Sequence, residues 1–322
     1  MLSSIMTVQV ARKAPEAVDI CSFELVHPGG EPLPSFSAGS HIDVHGPTGL
    51  VRQYSLCNDS TESHRYLIAV LRDPKSRGGS GAMHDRLNEG DLLQISEPKN
   101  HFALAGTGGH SLLLAGGIGI TPILCMAERL SNLGASFDLH YCTRSRSRTA
   151  FERRITESAA LSSRSTFHFD DGPAGHKLDL SAVLAKPQAG KHLYVCGPAG
   201  FLDFVLTNAR QLGWAEECIH FEYFGAPATQ ASGDQPFQVK IASTGKICDI
   251  PAGTSVLHAL AVQGVEIPYS CEQGVCGTCL THVLEGKPDH RDHFLNDDER
   301  QRNDQFTPCC SRSTTPMLVL DL

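Results

Sequence analysis

The sequence predicts a multidomain protein in which an antiparallel β-barrel leads into a doubly wound α/β domain and then a small third domain. Three observations predict it. A length of 322 residues leaves room for two domains of about 150 residues, or for three small ones. Short alternating runs punctuated by glycine and proline give way near Ser111 to alternating strand and helix patterns. Cysteine then concentrates late in the chain: seven of the twelve are scattered over the first 270 residues, whereas Cys271, Cys276, Cys279, Cys309 and Cys310 share one 40-residue stretch.

From Thr7 to Leu104, runs such as His41-Ile42-Asp43-Val44 and Tyr66 to Leu71 alternate with Gly/Pro clusters, the pattern of a small antiparallel barrel. Beyond Ser111 come Leu112 to Ala115, a glycine group, a helix over Pro122 to Leu133, and a strand over Phe137 to Cys142. A helix around Thr149 to Leu161, strands at Thr166 to Phe169 and His192 to Cys196, a helix over Ala199 to Leu212 and a strand at Ile219 to Phe224 complete a parallel, doubly wound sheet. Gly225 to Asp234 has no apolar period and reads as a flexible linker. The last domain opens with Phe237 to Ile241 and a hairpin, has a short helix near Ser255 to Gln263, and closes with a strand at Met317 to Leu320. The expected boundaries are 1–108, 109–226, a linker at 227–234, and 235–322.

Composition excludes several classes of function. There are 27 basic and 35 acidic side chains, a net charge of −8, so no electrostatic footprint for nucleic acid or an anionic membrane is present. The most apolar stretch, Ser111 to Ala127, is interrupted by Gly116, Gly117, Gly119 and Pro122, and no window supplies the roughly 20 apolar residues of a membrane span. Met1 to Pro15 lacks a secretory signal, which predicts a reducing, cytoplasmic location.

Twelve cysteines in a reducing compartment need a role other than disulfides. Cys271, Cys276 and Cys279 form C-x4-C-x2-C, with Cys309 after 29 further residues, the spacing of plant-type [2Fe–2S] ferredoxins. Gly274 and Gly277 permit the tight turns that aim amides at sulfur. Zinc is the alternative, but it favours two C-x2-C pairs and only one is present. The Rieske halves suggested by Cys218-Ile219-His220 and Cys279-Leu280-Thr281-His282 fall in different domains.

Gly116-Gly117-Ile118-Gly119-Ile120-Thr121-Pro122 follows a buried strand and opens a helix, a context suited to a pyrophosphate; a turn needing glycine is the alternative. Asp138 begins its strand and is not assigned to a ribose. Cys196-Gly197-Pro198 occupies the carboxyl edge of the sheet, where ligands sit, although an ordinary strand-to-helix turn would look the same. Arg52-Gln53-Tyr54-Ser55 supplies a cation for phosphate, an aromatic face and a hydroxyl. Gly78 to His84 reads as a glycine-rich helix opening suited to one phosphate, or as a loop tip.

With these motifs in this order, the chain resembles the phthalate dioxygenase reductase family, within the wider ferredoxin–NADP reductase superfamily. The resemblance rests on R-x-Y-S, G-G-x-G-x-T-P, C-G-P, an E-x-F ending and the C-terminal cysteines, and covers nearly the whole chain. It implies a flavin barrel, an NADH-binding α/β domain and a fused β-grasp ferredoxin of plant type that serves a separate Rieske non-haem iron oxygenase. By position, Arg52, Gln53, Tyr54 and Ser55 would hold FMN, with backbone at Ala69 and Val70, Gly79 and Ser80 at the phosphate, and Phe224 closing over the ring. Gly117, Ile118, Gly119, Thr121 and Pro122 would meet NADH, with Cys196, Gly197 and Pro198 near the nicotinamide. Ser55, Cys196 and Glu222 would line the hydride path. The family's cysteine-x-serine-arginine pattern favours Cys309 over Cys310 as the fourth cluster ligand.

The resemblance implies the electron order NADH, FMN, [2Fe–2S], external acceptor, because flavin alone can take two electrons and release them singly. A monomer with a protein partner is expected, with neither nucleic acid nor membrane. Alternatives are a reductase for another acceptor, such as a cytochrome P450, and a non-catalytic redox sensor. Arg144, Arg146 and Arg148 follow the second strand of the nucleotide domain, where a 2′-phosphate would be read, or form a solvated turn; the resemblance favours NADH. Asp289 to His293 is expected to be an exposed loop. The last domain carries seven basic and eleven acidic residues, a surface that either steers a partner or is simply solvated.

Overall fold

The computed structural model describes residues 5–74, 78–106, 109–185, 187–225, 234–269 and 271–322. The linker expected at 227–234 lies outside the described residues except for Asp234. Two compact units are present, Met1–Phe224 and Gly225–Leu322. Among the described residues, no helix is long and apolar enough to cross a membrane.

The first unit begins with β1 (Ile5–Ala17), β2 (Ile20–Val26), β3 (Ser40–His45), β4 (Val51–Ser55), β5 (Tyr66–Leu71), α1 (Gly79–Arg86), β6 (Leu92–Ser96) and β7 (Lys99–Asn100). The antiparallel path is β4-β3-β6-β1-β2-β5, with β7 against β3. Just past β4, Leu56 bridges Ile68, and Cys57 N–H donates to Leu67 O at 2.8 Å, so the two ends of the path meet and the sheet closes as a barrel. Alternate residues (Val8, Val10, Phe23, Leu25, Ile42, Val44) fill its interior, and Met83 and Leu87 from α1 and its end pack into the same core.

The chain continues through β8 (His110–Gly116), α2 (Ile120–Asn132), β9 (Ser136–Thr143), α3 (Glu152–Glu157), α4 (Ala159–Ser162), β10 (Ser165–Phe169), α5 (Leu180–Leu184), β11 (His192–Gly197), α6 (Ala199–Gln211) and β12 (Ile219–Tyr223). These five strands pair in parallel in the order β10-β9-β8-β11-β12. Both faces are buried: Leu113, Ala115, Leu139 and Tyr141 pack with α2, whereas Leu112, Leu114, Leu193 and Val195 pack with α5 and α6. The first of these cores extends into the barrel through Ile20, Ala38, Cys57, Ala69 and Phe102. Cys57, Cys125 and Cys196 are fully buried in it.

The helix expected around Thr149 to Leu161 is broken into α3 and α4 by extended backbone at Ser158. Phe151, at φ 60°, stands just before α3, so the helical backbone begins at Glu152 and not at Thr149.

The second unit contains β13 (Phe237–Ile241), β14 (Ile247–Ile250), α7 (Val256–Val262), β15 (Thr281–Glu285), β16 (Pro288–Asp289), α8 (Asp297–Arg302), β17 (Gln305–Phe306), β18 (Arg312–Ser313) and β19 (Met317–Leu320). Its sheet runs β14-β13-β19-β15-β17, with β13 parallel to β19 and the hairpin β13-β14 antiparallel. Ser255 caps α7 through its hydroxyl, and Val256, Leu257 and Leu260 close the core over Val239, Ile250 and Leu318.

The segment Asp289 to His293 is not the exposed loop expected of it. Asp289 pairs with Arg312 in a two-stranded sheet, and Asp292 is 3% exposed. A charged run reads as solvated unless partners are known, and here the partners come from distant sequence.

Buried Arg312 ties this unit together, donating to the carbonyls of Thr254 (2.6 Å), Gln235 (3.0 Å) and Pro251 (3.2 Å), with Asp234 at 3.5 Å and the Phe237 ring under its guanidinium. Arg312→Ala should lower the unfolding free energy of this unit by about 2–3 kcal/mol, because the carbonyls it serves lose their donor while Asp234 keeps Arg291 at 2.9 Å. Hydrogen exchange of β13 and β14 at rising denaturant would read it; unchanged protection would contradict the role.

Candidate functional site

In the second unit, four cysteines come together. Cys271, Cys276, Cys279 and Cys309 are all buried. They stand as two pairs: Cys271 lies within hydrogen-bonding reach of Cys276, and Cys279 of Cys309. Two pairs of sulfurs suit the two irons of a [2Fe–2S] cluster.

The loop is shaped around the sulfurs. Gly274 and Gly277 have φ of 72° and 67°, and a Cβ would overlap Cys310 Sγ at the first and the Phe294 ring at the second. Gln273 N–H donates to Cys271 Sγ at 3.3 Å, with Val275 N–H beside it; the backbone of Gly274 meets Cys309. Hydrogen bonding to Cys271, and then to Thr278, lowers the Cys276 thiol. Cys309 lies within hydrogen-bonding reach of both Cys279 and Cys310, and Cys310 also contacts the Thr307 hydroxyl at 3.3 Å and the Ser311 hydroxyl at 3.9 Å. Thr278 was invisible as a site residue in the sequence; its only signal is a hydroxyl inside C-x2-C.

In the first unit, β4 carries Arg52, Gln53, Tyr54 and Ser55. The Arg52 side chain runs past Gly79, where α1 begins, its Nε about as near as van der Waals contact with an added Cβ allows (3.5 Å). A guanidinium beside a helix opening is a phosphate cradle. The Ser80 hydroxyl accepts from Asp73 N–H at 3.1 Å. Burial raises the Tyr54 phenol to about 12, so it stays neutral. Ala69 and Val70 are buried on β5, and the Val70 carbonyl lies 2.8 Å from His84 Nε2. Phe224, just past β12, is 40% exposed.

The glycine motif lies where the winding of the sheet reverses, between the carboxyl ends of β8 and β11. Gly117–Gly119 forms one 3-10 turn before α2, with Gly117 at φ 54°. A Cβ on Gly119 would overlap the Cys196 carbonyl. The Thr121 hydroxyl donates to Ile118 O at 3.1 Å, and Thr121 and Pro122 are buried in the first turns of α2. Pro198 caps α6 directly after Gly197, so two helix openings face the crevice.

Cys196 and Glu222 are register partners on adjacent parallel strands, and the Ser55 hydroxyl reaches Glu222 Oε2 at 3.4 Å from the barrel. Burial raises the Glu222 carboxyl to about 8, the Ser55 hydrogen bond opposing it. Burial, and then Glu222, push the Cys196 thiol up. At neutral pH this junction therefore holds a carboxylic acid, a hydroxyl and a thiol, all uncharged and all able to donate. Of the three arginines after β9, Arg146 pairs with Glu152 at 2.8 Å and Arg148 with Asp19 at 3.2 Å, while Arg144 is exposed.

A family model described as a 2Fe-2S iron-sulfur cluster binding domain matches residues 239–314. The vanillate O-demethylase oxidoreductase of Pseudomonas putida is 55% identical over 314 residues, 97% of this chain and 98% of that protein. The solved structure of phthalate dioxygenase reductase, described as a modular structure for electron transfer from pyridine nucleotides to [2Fe-2S], is 42% identical and covers 99% of this chain and 98% of its own, with a TM-score of 0.78. An intact type IV self-sufficient cytochrome P450 monooxygenase matches 99% of this chain with 41% of its own, at 34% identity and a TM-score of 0.85.

The Glu222 environment gives a pH test. Its carboxyl ionises more readily unfolded than folded, so between about pH 5 and 8 the folded state keeps a proton the unfolded state has lost. Stability of the cofactor-free protein should fall as pH rises through this window, by about 1 kcal/mol per unit from this group. Denaturant unfolding of Glu222→Gln across the same range should lack that component of the slope; an identical slope would show that Glu222 is not held neutral.

Proposed function

The chain belongs to the phthalate dioxygenase reductase family, and we propose on that premise that it is the reductase of a two-component Rieske aromatic-ring oxygenase or O-demethylase, drawing on NADH. It is an oxidoreductase carrying a [2Fe–2S] domain. The observation that carries the reading is the two-by-two arrangement of buried sulfurs in a loop whose amides point at them. Residues 1–108 would take FMN, 109–226 the nicotinamide nucleotide and 235–322 the cluster, with 227–234 joining them. The separation of the three larger sheets, one in each stretch, supports this division.

Bound FMN supplies what no side chain can, exchanging two electrons with nicotinamide and one at a time with an iron–sulfur cluster. The residues do the rest. Arg52, Gly79 and Ser80 bind the flavin phosphate at the opening of α1, Tyr54 and Phe224 give flat faces, and Gln53, Ala69 and Val70 border the ring. Gly117, Ile118, Gly119, Thr121 and Gly197 bring backbone N–H groups at two helix openings to the nucleotide pyrophosphate, and Pro122 and Pro198, which have no N–H to offer, border the same openings. Cys196 adds polarizable bulk without charge, and Ser55 with Glu222 holds a proton beside the reacting rings. Cys271, Cys276, Cys279 and Cys309 hold the two irons.

The commitment of Arg146 and Arg148 to carboxylates supports NADH over NADPH. The acceptor is the oxygenase partner. A cytoplasmic monomer is supported by the acidic balance and by a function that leaves one face for that partner, with no call for nucleic acid or membrane. A redox sensor would need no nicotinamide crevice.

Anaerobic titration with NADH should bleach flavin and cluster together, two electrons at the first and one at the second. Cys276→Ser should still bleach its flavin with NADH at the normal rate while delivery to the oxygenase falls to background; normal delivery would break the proposed order. A kcat/KM favouring NADPH would overturn the nucleotide assignment.

A further inference from the structure

The buried carboxylate of Asp292 is used by none of these assignments, yet it is fastened to both segments that carry the cysteines. Its Oδ2 accepts from the N–H groups of Leu295 (2.7 Å) and Phe294 (3.1 Å), and the Ser311 hydroxyl donates to Oδ1 at 3.4 Å. Its Cα and Cβ would each lie 3.0 Å from a Cβ placed on Gly274, and the next residue, His293, donates its N–H to Gly274 O at 2.9 Å. Asp292 therefore touches the loop between Cys271 and Cys276 on one side and the stretch after Cys309 on the other. A cation and an imidazole stand by: Arg300, with a guanidinium nitrogen 3.9 Å from Oδ2 and a hydrogen bond to the Asp292 carbonyl, and His290, with Nδ1 3.8 Å from Oδ1.

We propose that Asp292 is a positioning residue that sets the reduction potential of the [2Fe–2S] cluster, holding it below the value the cysteines and loop amides alone would give, with Arg300 as the opposing charge. Reduction adds one negative charge to the cluster. A fixed negative charge in a poorly screened site beside it opposes that step, and a nearby cation favours it. The two N–H donors and the serine fix where the negative charge sits, so its effect is constant from one turnover to the next. The inference rests on the [2Fe–2S] reading given above.

The test uses the full chain with its cofactors, in Asp292→Asn and Arg300→Gln, with the potential taken from a redox titration followed by the electron paramagnetic resonance of the reduced cluster. Iron and sulfide content is measured alongside. Asparagine keeps an oxygen for the Leu295 N–H and removes only the charge. Asp292→Asn should shift the reduction equilibrium about tenfold toward the reduced cluster, about 59 mV upward for one electron. Arg300→Gln should shift it the opposite way, and by less, because that side chain is partly exposed. Opposite signs are the signature, since a purely structural role would change iron content or move both potentials alike. A fully loaded Asp292→Asn protein with the parent potential overturns the proposal. If that variant does not load iron, Arg300→Gln decides: a lowered potential supports the proposal and an unchanged or raised one overturns it. A parent protein with no [2Fe–2S] signal would overturn the cluster reading itself, and this inference with it.

Discussion

The first unit depends on how closely two parallel strand ends approach. Gly116 ends β8 and Gly197 ends β11, and a Cβ on Gly197 would stand 3.0 Å from Gly116 Cα and closer still to the Phe201 ring. Any side chain there would wedge the strands apart, and with them the openings of α2 and α6 that face the crevice between. The same approach fixes the neighbours. Cys196 precedes Gly197, Glu222 lies beside Cys196 one strand over, and Ser55 reaches Glu222 from the barrel. The junction of Cys196, Glu222 and Ser55 thus sits directly beside the closest approach of the two strands.

The second unit solves the reverse problem, keeping backbone apart to leave room for a cofactor. Regular structure is suspended from the end of α7 to β15, and the loop keeps its shape through what surrounds it. Phe294 fills the side of Gly277, Asp292 braces Gly274, and the Asn296–Glu299 capping box starts α8 immediately beyond. Arg312, just after the last cysteine pair, pins the first strand of the unit. The loop is therefore specified from outside itself, by residues that lie beyond it in the sequence.

Much of this was legible in the sequence because the carrying signals are local. Period-two runs in the barrel, alternation of strand and helix, glycines at strand ends and the spacing of cysteines each report one physical requirement within a few residues. The short helices were harder. The helix expected from Thr149 to Leu161 is two short helices, interrupted by extended backbone at Ser158, a residue that carries no helix-breaking signal of its own. Capping at Asp179 and at Asn296 with Glu299 would have signalled α5 and α8. Asp292 reads as solvated in the sequence because the groups that bury it, Ser311 and the loop at Gly274, are remote, although its shortest hydrogen bonds are to the nearby N–H groups of Leu295 and Phe294. The Glu222–Ser55 contact spans 167 positions, so only family resemblance hinted at it.

The buried thiols of the first unit bear on how the protein survives its own chemistry. Machinery that handles low-potential electrons in air works beside peroxide, and peroxide attacks thiolates, not thiols. Burial raises Cys57 to about 12 and pushes Cys125 and Cys196 up as well. Almost none of their sulfur is ionised at neutral pH, and none of it meets solvent. Of the six cysteines in the first unit, these three are thereby kept unreactive, while Cys21, Cys142 and Cys218, only partly buried, are left as the thiols of that unit that an oxidant can reach.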